Sequence, residues 1–250
     1  GCGSVGLLQQ LFLAYVDPGD EVVYPWPSFE AYPVDVSITA ATEVAVPLVD
    51  HTADLDAVAN AVTPRTKLVV LANPNNPTGT ALHVDRICSL VERVPDDVLV
   101  VVDEAYREFV TAELGDPITD LVSDHPNVVV LRTFSKAYGL AALRTGYGVA
   151  DPSVAEQIDK VLIPFAVNHL AQVGSLAAIA ARDEVQVVID RLTAERDRVA
   201  MALRDAGWEV PDAHANFVWL PLEGRTDEVF PELERQGVVV RPFPGVGIRV

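Results

Sequence analysis

Val128-Val129-Val130-Leu131-Arg132-Thr133-Phe134-Ser135-Lys136, with Arg144 a little further on, is the stretch on which the fold and the chemistry turn. Four apolar residues in a row read as a buried strand of a parallel sheet. The run delivers Thr133, Ser135 and Lys136 at its end. A lysine in that position admits two readings. It is a surface group where the strand emerges into water, or it is an amine held close to neutrality by burial. An unpaired buried ammonium costs several kcal/mol or loses its proton, and a neutral amine is what Schiff-base chemistry needs.

Other segments show the same pattern of an apolar strand ending in a polar group. Lys67 to Ala72 ends in Asn73-Pro74-Asn75-Asn76-Pro77-Thr78-Gly79, and Val98 to Val102 runs into Asp103-Glu104-Ala105-Tyr106. Asp103 reads either as the cap of a following helix or as a buried carboxylate that requires a partner. Asn76, Asp103 and Lys136 each follow an expected parallel strand, and open α/β sheets bind ligands at that end of their strands. Helices are expected at Val5–Val16, Asp54–Val62, Val84–Val94 and Asp151–Val161, with a long, mostly helical stretch over Gly174–Ala206. Further strands are expected at Val22–Tyr24, Ala41–Val49, Ala215–Leu220, Val238–Arg241 and Gly247–Val250. Tyr24 to Pro33 carries three prolines, which rule out a regular helix at its start, and four aromatic residues; it reads as a loop lining a site or plugging a core. Its Phe29 could stack on a planar ligand.

The chain opens Gly1-Cys2-Gly3-Ser4-Val5-Gly6 ahead of a helix. A glycine-rich turn at a helix N-terminus exposes amides to a phosphate. The spacing also matches a dinucleotide fingerprint, but Asp20 and Glu21 precede a strand instead of ending one, so that match is weak. Asp+Glu number 36 against 18 Lys+Arg, a net charge of -18, which argues against nucleic acid or an anionic membrane as partner. Lysines occur only at 67, 136 and 160. Cys2 and Cys88 form no metal or redox pattern, so no metal is expected and a reduced, cytoplasmic setting is the default. No run approaches the length of a membrane span.

A phosphate turn, an aromatic plate, an Asn loop, a buried Asp and a Ser-Lys with a later Arg are together what pyridoxal 5'-phosphate requires: amides and arginine for its phosphate, a carboxylate for its ring nitrogen, a lysine for its aldehyde. The chain resembles the class I/II aminotransferases of fold type I, in the histidinol-phosphate aminotransferase branch. The resemblance spans Gly1 to Val250 and rests on NPNNPTG (Asn73–Gly79), DEAY (Asp103–Tyr106), TFSKAYGLAALR (Thr133–Arg144) and ANF (Ala215–Phe217). Within that branch GCGSV, WPSFEAYP and ANFVWLPL look most like the aromatic (phenylalanine) aminotransferases of actinobacteria. Where Val5 stands, histidinol-phosphate aminotransferases usually carry an acidic residue.

The resemblance implies an α/β fold, with a large domain built on a mostly parallel sheet in an α/β/α sandwich and a smaller, truncated α+β domain after it. The expected division is 1–172 for the large domain, lacking its N-terminal part, 173–206 for a connecting helix and 207–250 for the small domain. It implies Lys136 as the Schiff-base and proton-shuttling residue, Asp103 on the ring nitrogen, Asn76 and Tyr106 on the ring oxygen, and Phe29 stacked on the ring. Gly3, Ser4, Val5, Thr133, Ser135 and Arg144 would hold the phosphate. Arg249 would grip the substrate carboxylate, with Asn216 and Arg241 as further pocket members. The implied reaction moves an amino group between a phenylalanine-like amino acid and 2-oxoglutarate, in a homodimer. Histidinol phosphate is the alternative donor. A decarboxylase or β-lyase on the same fold, a nucleotide-dependent oxidoreductase resting on the glycine turn, and a non-catalytic sensor stand behind it.

Overall fold

The computed structural model describes residues 1–250. In chain order the elements are α1 (Gly3–Tyr15), β1 (Glu21–Trp26), α2 (Ala31–Thr39), β2 (Thr42–Pro47), α3 (Leu55–Asn60), β3 (Thr66–Ala72), α4 (Val84–Val91), β4 (Leu99–Asp103), α5 (Pro117–Asp120), β5 (Val128–Thr133) and β6 (Gly146–Ala150). There follow α6 (Pro152–Val161), α7 (His169–Ala180), α8 (Arg182–Asp205), β7 (Trp219–Pro221), α9 (Thr226–Arg235), β8 (Arg241–Phe243) and β9 (Gly247–Arg249). The first six strands form one sheet in the order β2-β1-β3-β4-β5-β6, and the last three form a small sheet in the order β7-β9-β8. Pairing through β5 is parallel; β6 returns antiparallel on the far edge. The small sheet is antiparallel throughout.

Strand alternation splits the core in two. Val69, Leu71, Val100, Val102, Val128 and Val130 face α3 and α4. Leu68, Val70, Leu99, Val101, Val129 and Leu131 face α1 and α2. Adjacent residues on one strand therefore serve opposite layers, as a two-sided parallel sheet demands. The small sheet closes its own core, with Leu220 and Ile248 packed against Ala200 of α8 and, at the margin, Phe230 and Leu233 of α9. No helix is long and apolar enough to cross a membrane.

Strand order reverses beside β1: the chain steps out to β2, then crosses back to place β3 on the other side. The loops after β1, β3, β4 and β5 all open at the carboxyl end of the sheet, where such sheets bind ligands. Register aligns the ends. Ala72 lies opposite Asp103, Asp103 opposite Leu131, and Thr133 opposite Gly146.

Several local expectations change; the strand expected over Val238–Arg241, for one, forms instead over Arg241–Phe243. The stretch after Tyr24 is not all loop. β1 continues through Pro25 to Trp26, and beyond Val23 it is paired with β2 alone, a setting that tolerates proline. Pro33 sits in the first turn of α2, where an amide has no helical partner to lose. The long helical stretch breaks at Ala181 into α7 and α8. β6 gave no strand signal, because its GYGVA sequence carries two glycines, which strands disfavour. Packing explains one of them. A Cβ on Gly146 would stand 2.6 Å from the Ser4 amide nitrogen and 2.8 Å from the Arg132 carbonyl oxygen. Only glycine lets the start of α1 lie against the start of β6, where Gly1 and Gly146 exchange backbone hydrogen bonds. Gly146→Ala should cost about 1–3 kcal/mol, the usual size of an overpacking penalty, measured by urea unfolding. An unchanged midpoint would show that the contact has slack.

Candidate active site

The site begins at the N-terminus of α1. Cys2 makes no side-chain cap, and no acidic residue stands in the first turn. The Gly3 amide donates to the Gly1 carbonyl; the amides that follow it in the first turn are left to an outside acceptor. Gly3 has φ +76, a conformation that favours glycine, and a Cβ there would press on Arg144 Nη2 at 2.7 Å and displace the guanidinium. Arg144, itself in the left-handed region, is held by the Ala141 carbonyl at 2.8 Å and reaches Ser135 Oγ at 3.4 Å. Thr133 Oγ1 donates to Ser135 Oγ at 2.9 Å and accepts from the Ser135 amide at 3.1 Å. Helix start, two hydroxyls and a guanidinium converge into a cradle for a dianion.

A cleft of ≈ 290 Å³ opens from this cradle, lined by Ser4, Val5, Phe29, Asn76, Asp103, Tyr106, Thr133, Ser135, Lys136, Arg144, Arg241 and Arg249 among others. Asp103 is 5 % exposed at the end of β4. Its Oδ2 accepts from the Tyr32 hydroxyl at 3.3 Å, while Oδ1 is buried without any partner. Burial raises the Asp103 pKa to about 6; the Tyr32 hydroxyl, the Ala105 amide and the Lys136 charge act in the opposite sense. Lys136 Nζ stands 5.3 Å from the centroid of the Tyr106 ring. The lysine is reached by water through the open cleft, yet protein walls most of it. That walling, then Arg249, draws its pKa below the ordinary lysine value, with Arg144 adding to the effect and Asp103 opposing it. The lowered lysine pKa favours an amine that gives up its proton readily.

The asparagine loop divides its labour. Asn73 is tied to Leu82 by two hydrogen bonds, at 2.7 and 3.2 Å. Asn75 is tied to Pro27, Ser28 and Thr78. Asn76 alone turns its side chain into the cleft, where its Oδ1 accepts from Arg249 Nη1 at 2.6 Å. That bond leaves the Asn76 NH₂ free to donate to a ligand. The Arg249 guanidinium lies 4.9 Å from the Phe217 ring centroid and 6.0 Å from that of Phe243, within cation–π range. Arg241 pairs with Glu30 at 2.6 Å across the mouth of the cleft.

Of the residues expected from sequence, Asn216 is the one that does not join. It is exposed, while its neighbours Ala215 and Phe217 are buried. The useful member of ANF is Phe217, the platform for Arg249. Gly3 acts behind the cradle, by admitting Arg144. Sequence reasoning also passed over Glu30 and Tyr32. Both lie in the aromatic segment already marked by Phe29, but no spacing rule links them to Arg241 or Asp103, which are distant in the chain. Behind the site Glu104, wholly buried and raised to about 7 by burial, pairs with Arg132, which also meets Asp116 at 2.5 Å.

The donor set fits pyridoxal phosphate. The unpartnered Asp103 Oδ1 suits a ring N–H, the cradle suits a phosphate, and Lys136 suits an aldehyde. Together they define the site of a pyridoxal-phosphate-dependent enzyme. The model of the aminotransferase class I and II family matches residues 1–249, and the chain belongs to that family. It is 51% identical to an aromatic amino acid aminotransferase of Thermobifida fusca, over 100% of this chain and 70% of that protein. It is 49% identical to one of Mycolicibacterium vanbaalenii, over 100% of this chain and 71% of that protein. Among solved structures it is similar to histidinol-phosphate aminotransferase from Sinorhizobium meliloti in complex with pyridoxal-5'-phosphate. The TM-score is 0.92 at 30% identity, covering 100% of this chain and 70% of that one.

The Asp103 environment has a thermodynamic consequence. Its pKa is about 6 folded and returns to about 3.9 unfolded. The folded state therefore carries a cost that is full above the folded value and vanishes below the unfolded one. In cofactor-free protein Asp103→Asn should be more stable than wild type by about 1–3 kcal/mol at pH 8. The advantage should fade as the pH falls from about 6 to about 4. Urea unfolding across pH checks this; a variant less stable than wild type at pH 8 would contradict it.

Proposed function

We propose that this chain carries the catalytic site of an aromatic amino acid aminotransferase, moving an amino group between a phenylalanine-like amino acid and 2-oxoglutarate. The observation that carries the reading is the convergence of Lys136, Asp103, Asn76, Tyr106, Arg144 and Arg249 on one cleft. Bound there, pyridoxal phosphate would supply the electron sink for the amino acid's Cα. The chain's own residues do the rest. Lys136 Nζ would hold the cofactor's aldehyde carbon and, as a free amine beside the amino acid's Cα, would carry its proton as general base and acid. Its lowered pKa, set first by burial and then by Arg249, suits that task. Asp103, ionised, would face the ring nitrogen and keep it protonated. The free NH₂ of Asn76 and the Tyr106 hydroxyl would donate to the ring oxygen. Phe29 would cover a face of the ring, and the cradle of Ser4, Thr133, Ser135 and Arg144 would anchor the phosphate with its amides and cation. Arg249, braced by Asn76 and Phe217, would take the α-carboxylate.

Val5 lines the cleft and brings no charge to it. Glu30 also lines it, but its carboxylate is engaged by Arg241. An uncharged aromatic donor suits these walls, and the close relatives named above agree. The similarity to a histidinol-phosphate aminotransferase keeps histidinol phosphate as the second donor to test. We further propose a cytoplasmic homodimer. Ile163 at 69%, Phe165 at 100%, Leu170 at 71% and Leu176 at 70% exposure leave an apolar surface around α7 that a second copy would cover. The large unit is assigned to residues 1–172, the connector to 173–206 and the small unit to 207–250.

Borohydride treatment of the loaded protein should fix the cofactor on Lys136 and nowhere else. Lys136→Ala should lose that adduct and about a thousand-fold in kcat, the scale of a positioned acid–base group. In a panel of single-turnover half-reactions, phenylalanine should react with a higher kcat/KM than histidinol phosphate. The reverse order would move the chain to the second reading.

A further inference from the structure

Asp103 lines the cleft with one carboxylate oxygen bonded and the other unpartnered. We propose that Tyr32 is the positioning residue for Asp103: its buried hydroxyl donates to Oδ2 and so fixes the orientation of the carboxylate toward the cofactor's ring N–H. The inference rests on the reading of Asp103 as the partner of that nitrogen.

Tyr32 is 0 % exposed, in the first turn of α2, and does not line the cleft. It reaches Asp103 from behind, at 3.3 Å. The neighbouring hydroxyl, Ser28 Oγ, already donates to Asn75 Oδ1 at 2.8 Å. The Tyr32 proton is therefore directed to Asp103, since a buried donor needs an acceptor. The distance is long for O–H···O, as is common at sites whose hydrogen bonds tighten when the ligand arrives. The ring of Tyr32 meets Phe29 edge-on, with centroids 5.7 Å apart and planes at 89°, and meets Tyr24 at 5.6 Å and 64°. One side chain thus braces both the carboxylate and the aromatic plate. If its task were to fill volume, phenylalanine would serve, and no polar atom would need burying.

The titratable groups facing Asp103 are Tyr32 from α2, Lys136 from the end of β5 and Tyr106 from its own loop. The adjoining end of β3 offers only Ala72. Loss of the Tyr32 hydroxyl removes a donor that favours the charged carboxylate. Asp103 should then hold its proton to higher pH and bind the ring nitrogen less well.

The test compares pyridoxal phosphate with its 1-deaza analogue, in which C–H replaces the ring nitrogen, as ligands of the intact chain. Dissociation constants are measured by equilibrium dialysis at several pH values around neutrality. Wild type should prefer pyridoxal phosphate. Tyr32→Phe should lose roughly ten-fold of that preference, the equivalent of one pKa unit at Asp103, and lose more as the pH is lowered. In an Asp103→Asn background, adding Tyr32→Phe should leave the preference unchanged. A variant that binds both ligands more weakly by the same factor has only been loosened, and that result overturns the proposal. So does a variant with undiminished preference. A wild type that binds both ligands equally overturns the reading of Asp103, and this inference with it.

Discussion

A carboxylate stands at the end of an all-apolar strand with one oxygen unpaired, and the rest of the site is arranged around that cost. β4 is buried throughout and flanked on both sides by parallel partners, so Asp103 cannot relax into water. Burying an ionised group uncompensated is among the more expensive things a fold can do. Here compensation is partial: a tyrosine hydroxyl on one oxygen, and Lys136 within electrostatic reach. What is left over is the capacity to bind a protonated ring nitrogen. Stability is given up in the free protein and recovered on loading, the trade expected of a functional site.

Two further constraints bring ligand groups to that carboxylate. The start of α1 reaches the sheet only because residue 146 is glycine, and its amides, with Thr133, Ser135 and Arg144, set where a phosphate lies. The small sheet is tied across the cleft by Arg249 to Asn76, Arg241 to Glu30, and the His214 amide to the Gly79 carbonyl. The substrate-side arginines thus come from the end of the chain, and the cofactor-side groups from the ends of the parallel strands. Reaction would occur where the two sets meet.

The parallel sheet and most of the site were legible in the sequence for one reason. Apolar runs that end in Asn, Asp or Lys mark strand termini on a common side, and the side needs no distance information. Asn76 was separable from Asn73 and Asn75 only by resemblance; the structure supplies the cause, since the other two are consumed by backbone and loop contacts. What stayed hidden depends on contacts between distant segments. β6 forms because β5 offers an edge and Gly146 fits, not because GYGVA favours a strand. Asn216 lies off the cleft because a motif names a segment, while the bend of the chain there decides which of its side chains is buried. Tyr32 and Glu30 read as ordinary members of an aromatic loop until α2 carries them to partners far along the chain.

The most direct test of this account is the protonation state of the cofactor's ring nitrogen in the loaded protein, read from the ¹⁵N chemical shift of ring-labelled pyridoxal phosphate. The account predicts a protonated nitrogen in wild type at mildly alkaline pH, where the free cofactor's ring nitrogen has lost its proton, and a deprotonated one in Asp103→Asn. A nitrogen that is deprotonated in wild type, or unchanged by Asp103→Asn, would contradict it.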